Sequence, residues 1–213
     1  MYTNTNALSN KMDKLRIFVD EKRPTFILIT ETWLSSEISD SLVAIPGYVL
    51  HRQDRDQKRG GGVCVFSRGL IHGHDVKITQ CNDYVMPLDV DMIWLRAQIS
   101  RVKMQMLCVY RPGYTTHQAD QTLIEVIGHA LSSDLPTYIC GDFNYPQIEW
   151  SNLTLSVNNA GASDFPEAYK NMNAKQVVDF PTRFRGVDES LLDLILVNDK
   201  KLVCDFEARL LEN

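Results

Sequence analysis

The sequence predicts an α/β fold of layered sheets flanked by helices, on three observations. Strand-like segments outnumber helical ones, several of those strands are apolar on both faces, and hairpin-linked strands are mixed with helix-linked ones. The 213 residues are 44% hydrophobic and 23% charged, a composition that excludes wholesale disorder. A chain of this length buries roughly 70% of its unfolded surface. No repeat, low-complexity tract or Pro/Gly/Ser-rich linker divides it, so residues 1–213 read as a single domain.

Taken in order, Leu8, Met12, Leu15 and Val19 recur at helical spacing and predict a helix over Leu8–Glu21, which Pro24 closes. Thr25–Thr30 is a short apolar run of the kind covered on both faces, with Glu31 at its end. Pro46-Gly47 marks a turn. Gly60–Gly62 marks another and leads into the strand-like GVCVFS; no Lys-Ser/Thr follows, so a tight turn is favoured over a phosphate cradle. Ile93–Ile99 and Met104–Tyr110 read as a hairpin, and Arg111-Pro112-Gly113 ends it. His117–Leu131 is helical through Leu123, Ile124, Ile127 and Leu131. Thr137–Cys140 is a buried strand that delivers Gly141-Asp142-Phe143-Asn144. Phe165–Met172 reads as a short helix, Leu191–Val197 as a strand, and Phe206–Leu211 as the start of one more.

A net charge of −5 argues against a broad basic face that coats nucleic acid, but not against local contact with a phosphate backbone. Arg52, Arg55, Lys58 and Arg59 share one stretch with Asp54 and Asp56, which reads as a solvated loop. The five cysteines lack CxxC spacing and read as buried free thiols rather than a disulfide or zinc framework. With no apolar leader and no run approaching the ~18 residues of a membrane span, an intracellular protein is expected, nuclear or cytoplasmic left open.

Three apolar strands carry acidic or amide residues at an end: Glu31 after one, Asp142 and Asn144 after another, and Asp193 within the third. Clefts at strand ends are where α/β sheets take ligands. Asp142 and Asn144, two apart, share one side of an extended chain. Such oxygen donors suit a hard divalent cation, although Asp and Asn at strand ends also cap turns. Tyr110 reads either as a phosphate contact or as an aromatic covering the core, and Trp33 and Phe143 read as core.

In order along the chain stand Asn4, Ile29-Thr30-Glu31-Thr32-Trp33-Leu34, Gly60–Gly62-Val63, Val109-Tyr110-Arg111-Pro112, Gly141-Asp142-Phe143-Asn144, Pro181-Thr182-Arg183 and Leu192-Asp193-Leu194-Ile195-Leu196. This series resembles the endonuclease/exonuclease/phosphatase superfamily. Tyr2-Thr3-Asn4 with Asn10-Lys11, and Phe180-Pro181-Thr182-Arg183, are similar to the apurinic-endonuclease-like domain of non-LTR (LINE-type) retrotransposons in particular.

The resemblance implies a four-layer α/β sandwich, two packed mixed β-sheets with helices outside, that nicks DNA by phosphodiester hydrolysis with Mg²⁺ or Mn²⁺. It implies Glu31 and Asn4 as metal ligands, and Asp142 as the group handling the proton of the attacking water or leaving oxygen. Asn144 would hold Asp142 or the phosphate, and Tyr110 would contact the scissile phosphate with Arg111 close by. Thr182 and Arg183 would lie on a loop near the DNA, and Asp193 would orient a histidine. The implied partners are the DNA backbone and a reverse transcriptase region of a longer polyprotein, with no membrane.

The family pattern begins with a fuller strand before Asn4 and closes with Ser-Asp-His after one further strand. All five histidines here precede Asp142. The expectation is therefore a domain shortened at both ends and lacking its last strand. A catalytically impaired descendant, or a different phosphoesterase acting on inositol phosphates or sphingomyelin, are the alternative readings.

Overall fold

In the computed structural model of the protein, residues 1–55, 60–150, 153–155, 164–172, 174–204 and 207 are described. The strands are β1 (Tyr2–Asn4), β2 (Phe26–Thr30), β3 (Tyr48–Gln53), β4 (Val63–Arg68), β5 (Leu70–Ile71), β6 (His74–Gln80), β7 (Asp91–Ile99) and β8 (Val102–Tyr110). They continue with β9 (Thr137–Asp142), β10 (Ile148–Glu149), β11 (Thr154–Leu155), β12 (Lys175–Gln176), β13 (Arg183–Arg185), β14 (Asp188–Ser190) and β15 (Asp193–Val197). The helices are α1 (Met12–Lys22), α2 (His117–Leu131) and α3 (Asp164–Asn171).

Among the described residues, one sheet has the order β1-β2-β4-β3 and a larger one the order β12-β15-β9-β8-β7-β6-β5. Both mix parallel and antiparallel pairs, with β1 parallel to β2 and β8 parallel to β9. The pairs β10-β11 and β13-β14 stand apart as two-stranded ladders.

Side-chain alternation sorts the core into three apolar layers. Leu28, Val63 and Val65 face Ile93, Leu95, Ala97, Met106, Cys108 and Cys140 across the gap between the sheets. Their neighbours Ile27, Ile29, Cys64 and Phe66 point the other way and pack under Leu8, Met12, Leu15 and Val19 at the helical stripe. On the far sheet Met92, Trp94, Leu107, Val109 and Ile139 pack beneath α2 and Phe165 of α3. Helix, sheet, sheet, helix is the four-layer α/β sandwich.

The stripe Leu8, Met12, Leu15, Val19 is buried as its spacing predicts, but the first turn, Leu8–Lys11, is a 3₁₀ helix that precedes α1. α2 covers the predicted His117–Leu131, with the Thr116 hydroxyl accepting from the Ala119 amide as its N-cap. β3 and β6 lie outside the predicted set. Both are half-exposed, without an apolar run, and form through their partners rather than through their own composition. Arg52 and Arg55 correct the solvated-loop expectation. Arg52 pairs with Asp40 and Asp54, and Arg55, its side chain 8% exposed, pairs with Asp91 at 3.0 Å. Lys58, Arg59 and most of the expected Phe206–Leu211 strand fall outside the described residues.

Cys64, Cys81, Cys108 and Cys140 are buried free thiols, while Cys204 is exposed. No described helix is long and apolar enough to cross a membrane.

Candidate active site

The same alternation that builds the middle layer places the chemistry at one end of it. Counting by twos from the inter-sheet apolar residues, Leu28 leads to Thr30, Cys108 to Tyr110, Cys140 to Asp142, Ile195 to Asp193 and Ile93 to Asp91. Register aligns them, with Asn4 opposite Thr30, Tyr110 opposite both Asp142 and Asp91, and Asp193 opposite Asp142. One mouth of the sandwich thus carries polar side chains on the face that is apolar elsewhere.

Asp142 is 6% exposed. Its Oδ2 accepts from Asn4 Nδ2 at 3.0 Å and its Oδ1 from the Asn144 amide at 3.1 Å. Burial first, then the charge of Asp193 and more weakly that of Glu31, push its carboxyl up to about 8, with the Asn144 amide and Arg183 opposing. Asp193 Oδ1 accepts from the Tyr2 hydroxyl at 2.5 Å, and Thr182 donates to the same carboxylate. Burial raises Asp193 above the usual carboxylate range, against these hydrogen bonds. The Thr182 hydroxyl also accepts from the Leu192 and Asp193 amides, so the Pro181-Thr182-Arg183 segment is fastened to the strand that carries Asp193.

Glu31 follows β2 at a φ of 54°. Its Oε2 accepts from the Gly61 amide at 3.0 Å and from the indole Nε1 of Trp33 at 2.5 Å. Tyr110 is 8% exposed. Burial, a hydrogen bond to Glu31 and the nearby carboxylates hold its phenol well above the ordinary tyrosine range. The core reading of Tyr110 holds for its ring, which lies in the inter-sheet layer, while its hydroxyl reaches Glu31.

The glycine triplet is a turn, with φ near +80° at each residue, but it also binds the carboxylates around it. The Gly61 amide serves Glu31 and the Gly62 amide serves Asp91 at 2.8 Å. A Cβ on Gly61 would meet Asp91 Oδ2 at 2.6 Å, so the turn admits no larger residue there without a shift.

Three placements differ from expectation. Arg111, expected near a phosphate, is 4% exposed and turned into the protein. Its fork grips Asp120 at 2.7 and 2.8 Å, with Nη1 on the Phe143 and Asn144 carbonyls and the guanidinium 3.9 Å from the Tyr145 ring centroid. Asn144 does not extend β9 beside Asp142. At a φ of 49° it turns, and its amide side chain donates to the Arg111 carbonyl at 2.9 Å. Trp33, expected in the core, is 36% exposed at the rim, whereas Phe143 is fully buried.

Sequence reasoning left Tyr2, Asp91 and Arg55 out of the site. Asp91 carried a usable signal, an acid at the terminus of an apolar strand like the other three. Arg55 carried none, and Tyr2 only its place in the Tyr2-Thr3-Asn4 segment, because each matters through a partner distant in sequence. None of the five histidines lies with these carboxylates. His51 meets Ser67, His117 meets Asp164, His129 stacks edge-on against Trp94, and His72 and His74 sit at the β5-β6 turn.

The donor set is all oxygen, with carboxylates whose mutual repulsion would fall on meeting a cation, so it fits a hard divalent ion. Among the described residues no three His, Cys, Asp or Glu side chains converge as a ready cage.

A family model described as the Endonuclease/Exonuclease/phosphatase family matches residues 1–211. A comparison with curated proteins finds no match. Among solved structures, the endonuclease domain of TRAS1, a telomere-specific non-LTR retrotransposon, superposes with a TM-score of 0.66 at 11% identity, covering 94% of this chain and 84% of that one. The Neisseria 3′ phosphatase NExo bound to a product DNA hairpin gives 0.64 at 15% identity over 92% and 84%. The AP endonuclease LMAP from Leishmania major gives 0.60 at 14% identity over 92% and 77%. At these identities the likeness is one of fold.

Proposed function

This chain belongs to the endonuclease/exonuclease/phosphatase family, and from that premise we propose that it is a divalent-metal-dependent phosphodiester hydrolase that nicks DNA, of the non-LTR retrotransposon type. The observation that carries the reading is that strand register and the turn after β2 set Glu31, Asp142, Asp193, Asn4 and Tyr110 around one mouth of the inter-sheet layer. Contact with a phosphate is supported by the Thr182–Arg183 segment, which is tied to Asp193 and brings a cation near Asp142. The likeness to a retrotransposon endonuclease domain and to a phosphatase bound to a DNA hairpin supports DNA as the substrate. In that setting the natural partners are the DNA backbone and a reverse transcriptase region of a longer polyprotein.

Glu31 and Asn4 would hold the ion, Mg²⁺ or Mn²⁺. Bound there, it would neutralise charge building on the phosphate. The remaining roles belong to the chain. Asp142 holds or releases a proton at the carboxyl oxygens that face Asn4 and Asn144, and so exchanges it with the attacking water or the leaving oxygen. Tyr110, whose phenol O–H rests on Glu31, would turn that donor from the carboxylate to phosphate charge from a fixed strand position. Asp193, bonded to Tyr2, stands beside Asp142 and its charge helps keep that carboxyl raised, while Asn4 and the Asn144 amide orient it. Arg111 positions rather than binds, since its carbonyl fixes Asn144 and its guanidinium fixes the loop behind it.

The test is nicking of supercoiled plasmid by the purified chain with Mg²⁺ or Mn²⁺, beside Glu31→Gln and Asp142→Asn. Nicking that drops at least about a hundredfold in both variants supports the reading. Nicking that survives both overturns it. A second reading, a family fold kept without its chemistry, is favoured by one observation: Asp193 takes a tyrosine where the resemblance expects a histidine. A folded wild type that is as inert as both variants would establish that reading instead.

A further inference from the structure

We infer that Trp33 is a positioning residue for the metal carboxylate, acting through its indole N–H on Glu31. The inference rests on the reading of Glu31 as the carboxylate that holds the ion. A carboxylate that binds a cation needs a fixed rotamer, and neighbouring donors supply that fixation in metal sites. Here Oε2 of Glu31 receives two N–H donors, the Gly61 amide and the Trp33 indole at 2.5 Å.

The shape of the segment explains why a tryptophan can reach back to a residue only two positions before it. Glu31 and Trp33 both have φ of 54°, in the left-handed region that L-residues rarely adopt. This folds 31–33 into a turn whose two outer side chains meet. Gly60 borders the contact, a Cβ there lying 3.5 Å from both Glu31 Oε2 and Trp33 Nε1, and its φ of +83° favours glycine at that turn.

The turn does not depend on the indole. The Thr32 and Trp33 amides donate to the Gly62 and Gly61 carbonyls at 3.2 and 3.0 Å, and the Ala7 and Leu8 amides donate to the Glu31 and Thr32 carbonyls at 3.0 and 2.9 Å. Backbone bonds therefore hold the strained segment in place. The indole, 36% exposed, stands at the rim rather than in the core. Trp33→Phe keeps an aromatic ring and deletes only the donor.

The experiment is a Mn²⁺ titration of the intact chain without DNA, with free Mn²⁺ read by electron paramagnetic resonance, for wild type, Trp33→Phe and Glu31→Gln. Melting in EDTA confirms that each variant is folded. Loss of an outer donor weakens metal affinity on the order of tenfold. The result expected is thus a roughly tenfold higher Kd for Trp33→Phe, an unchanged melting midpoint, and near-complete loss of binding in Glu31→Gln. Equal Mn²⁺ affinity in wild type and Trp33→Phe, with Glu31→Gln impaired, overturns the role of Trp33 and leaves the reading of Glu31 standing. Wild-type affinity in Glu31→Gln, or no binding by wild type, overturns both.

Discussion

Replacing Asp142 by Asn should stabilise the metal-free protein at alkaline pH while abolishing nicking. The carboxyl is 6% exposed and is pushed from an ordinary 3.8 up to about 8, chiefly by burial and by Asp193. Because its folded value lies above its unfolded value, the native state favours the protonated form. Folding is undisturbed below pH 4 and loses stability as the pH rises from about 4 to about 8. A gap of about 4 in pKa, at about 1.4 kcal/mol for each, corresponds to about 6 kcal/mol once the group is ionised. Small relaxations would recover part of this, so we expect Asp142→Asn to exceed wild type by at least about 2 kcal/mol at pH 9. For a chain of this size that is about 4–8 °C in melting midpoint. Near pH 4 the two proteins should coincide, since the wild-type carboxyl is then protonated and Asn retains an acceptor for the Asn144 amide. Urea unfolding in EDTA at pH 4.5 and pH 9 measures both limits. A variant that is less stable than wild type at pH 9, or a difference that does not change between the two pH values, would refute the assignment of buried repulsion to this site.

Two further outcomes test the frame around the site. Arg111→Met leaves Asp120, 1% exposed, without its partner, and should destabilise the fold by about 3–5 kcal/mol in urea unfolding; a loss below about 1 kcal/mol would show that the pair is not holding the Asp142–Tyr145 loop. Gly61→Ala introduces a Cβ 2.6 Å from Asp91 Oδ2 at a φ of +78°, and should reduce stability by about 1–3 kcal/mol in thermal melting.

What the sequence disclosed follows from how local each feature is. The α2 helix, the stripe of α1 and the apolar strands β2, β8, β9 and β15 carry their own periodicity, and their burial follows from it. Glu31, Asp142 and Asp193 were legible as acids ending apolar strands. β3 and β6 were passed over because neither has a continuous apolar run, although Val76 and Ile78 alternate with polar residues as a half-exposed strand does. Arg55 and Arg111 were misread for another reason. A cation in a polar stretch looks solvated or phosphate-seeking until the fold supplies Asp91 and Asp120. Trp33 looked like core because aromatic residues beside apolar runs usually are. The left-handed turn that carries it outward is set by bonds to Gly61 and Gly62, about thirty residues away in sequence.

The energetics of the sandwich are uneven in a way that itself identifies the site. Along most of the inter-sheet layer, alternation delivers leucine, valine, isoleucine and cysteine, and each burial is favourable. At one mouth the same alternation delivers Asp91, Asp142 and Asp193, all raised by burial, with left-handed backbone at Glu31, Trp33 and Asn144. Asp91 is neutralised by Arg55 and the Gly62 amide, which makes it part of the scaffold. Asp142 is raised by burial and by the charge of Asp193, and Asp193 by burial, while their close partners are hydroxyls, an amide and a backbone N–H rather than a bonded cation. Strain and repulsion persist in a native fold where the surrounding structure over-determines them, and they concentrate at functional sites. Of the acids on this face, it is the pair Asp142–Asp193, with Glu31 beside it, that would gain stability from a cation. On the proposed reading, the charge of the partner separates Asp91, a scaffold carboxylate, from the acids assigned to the reaction.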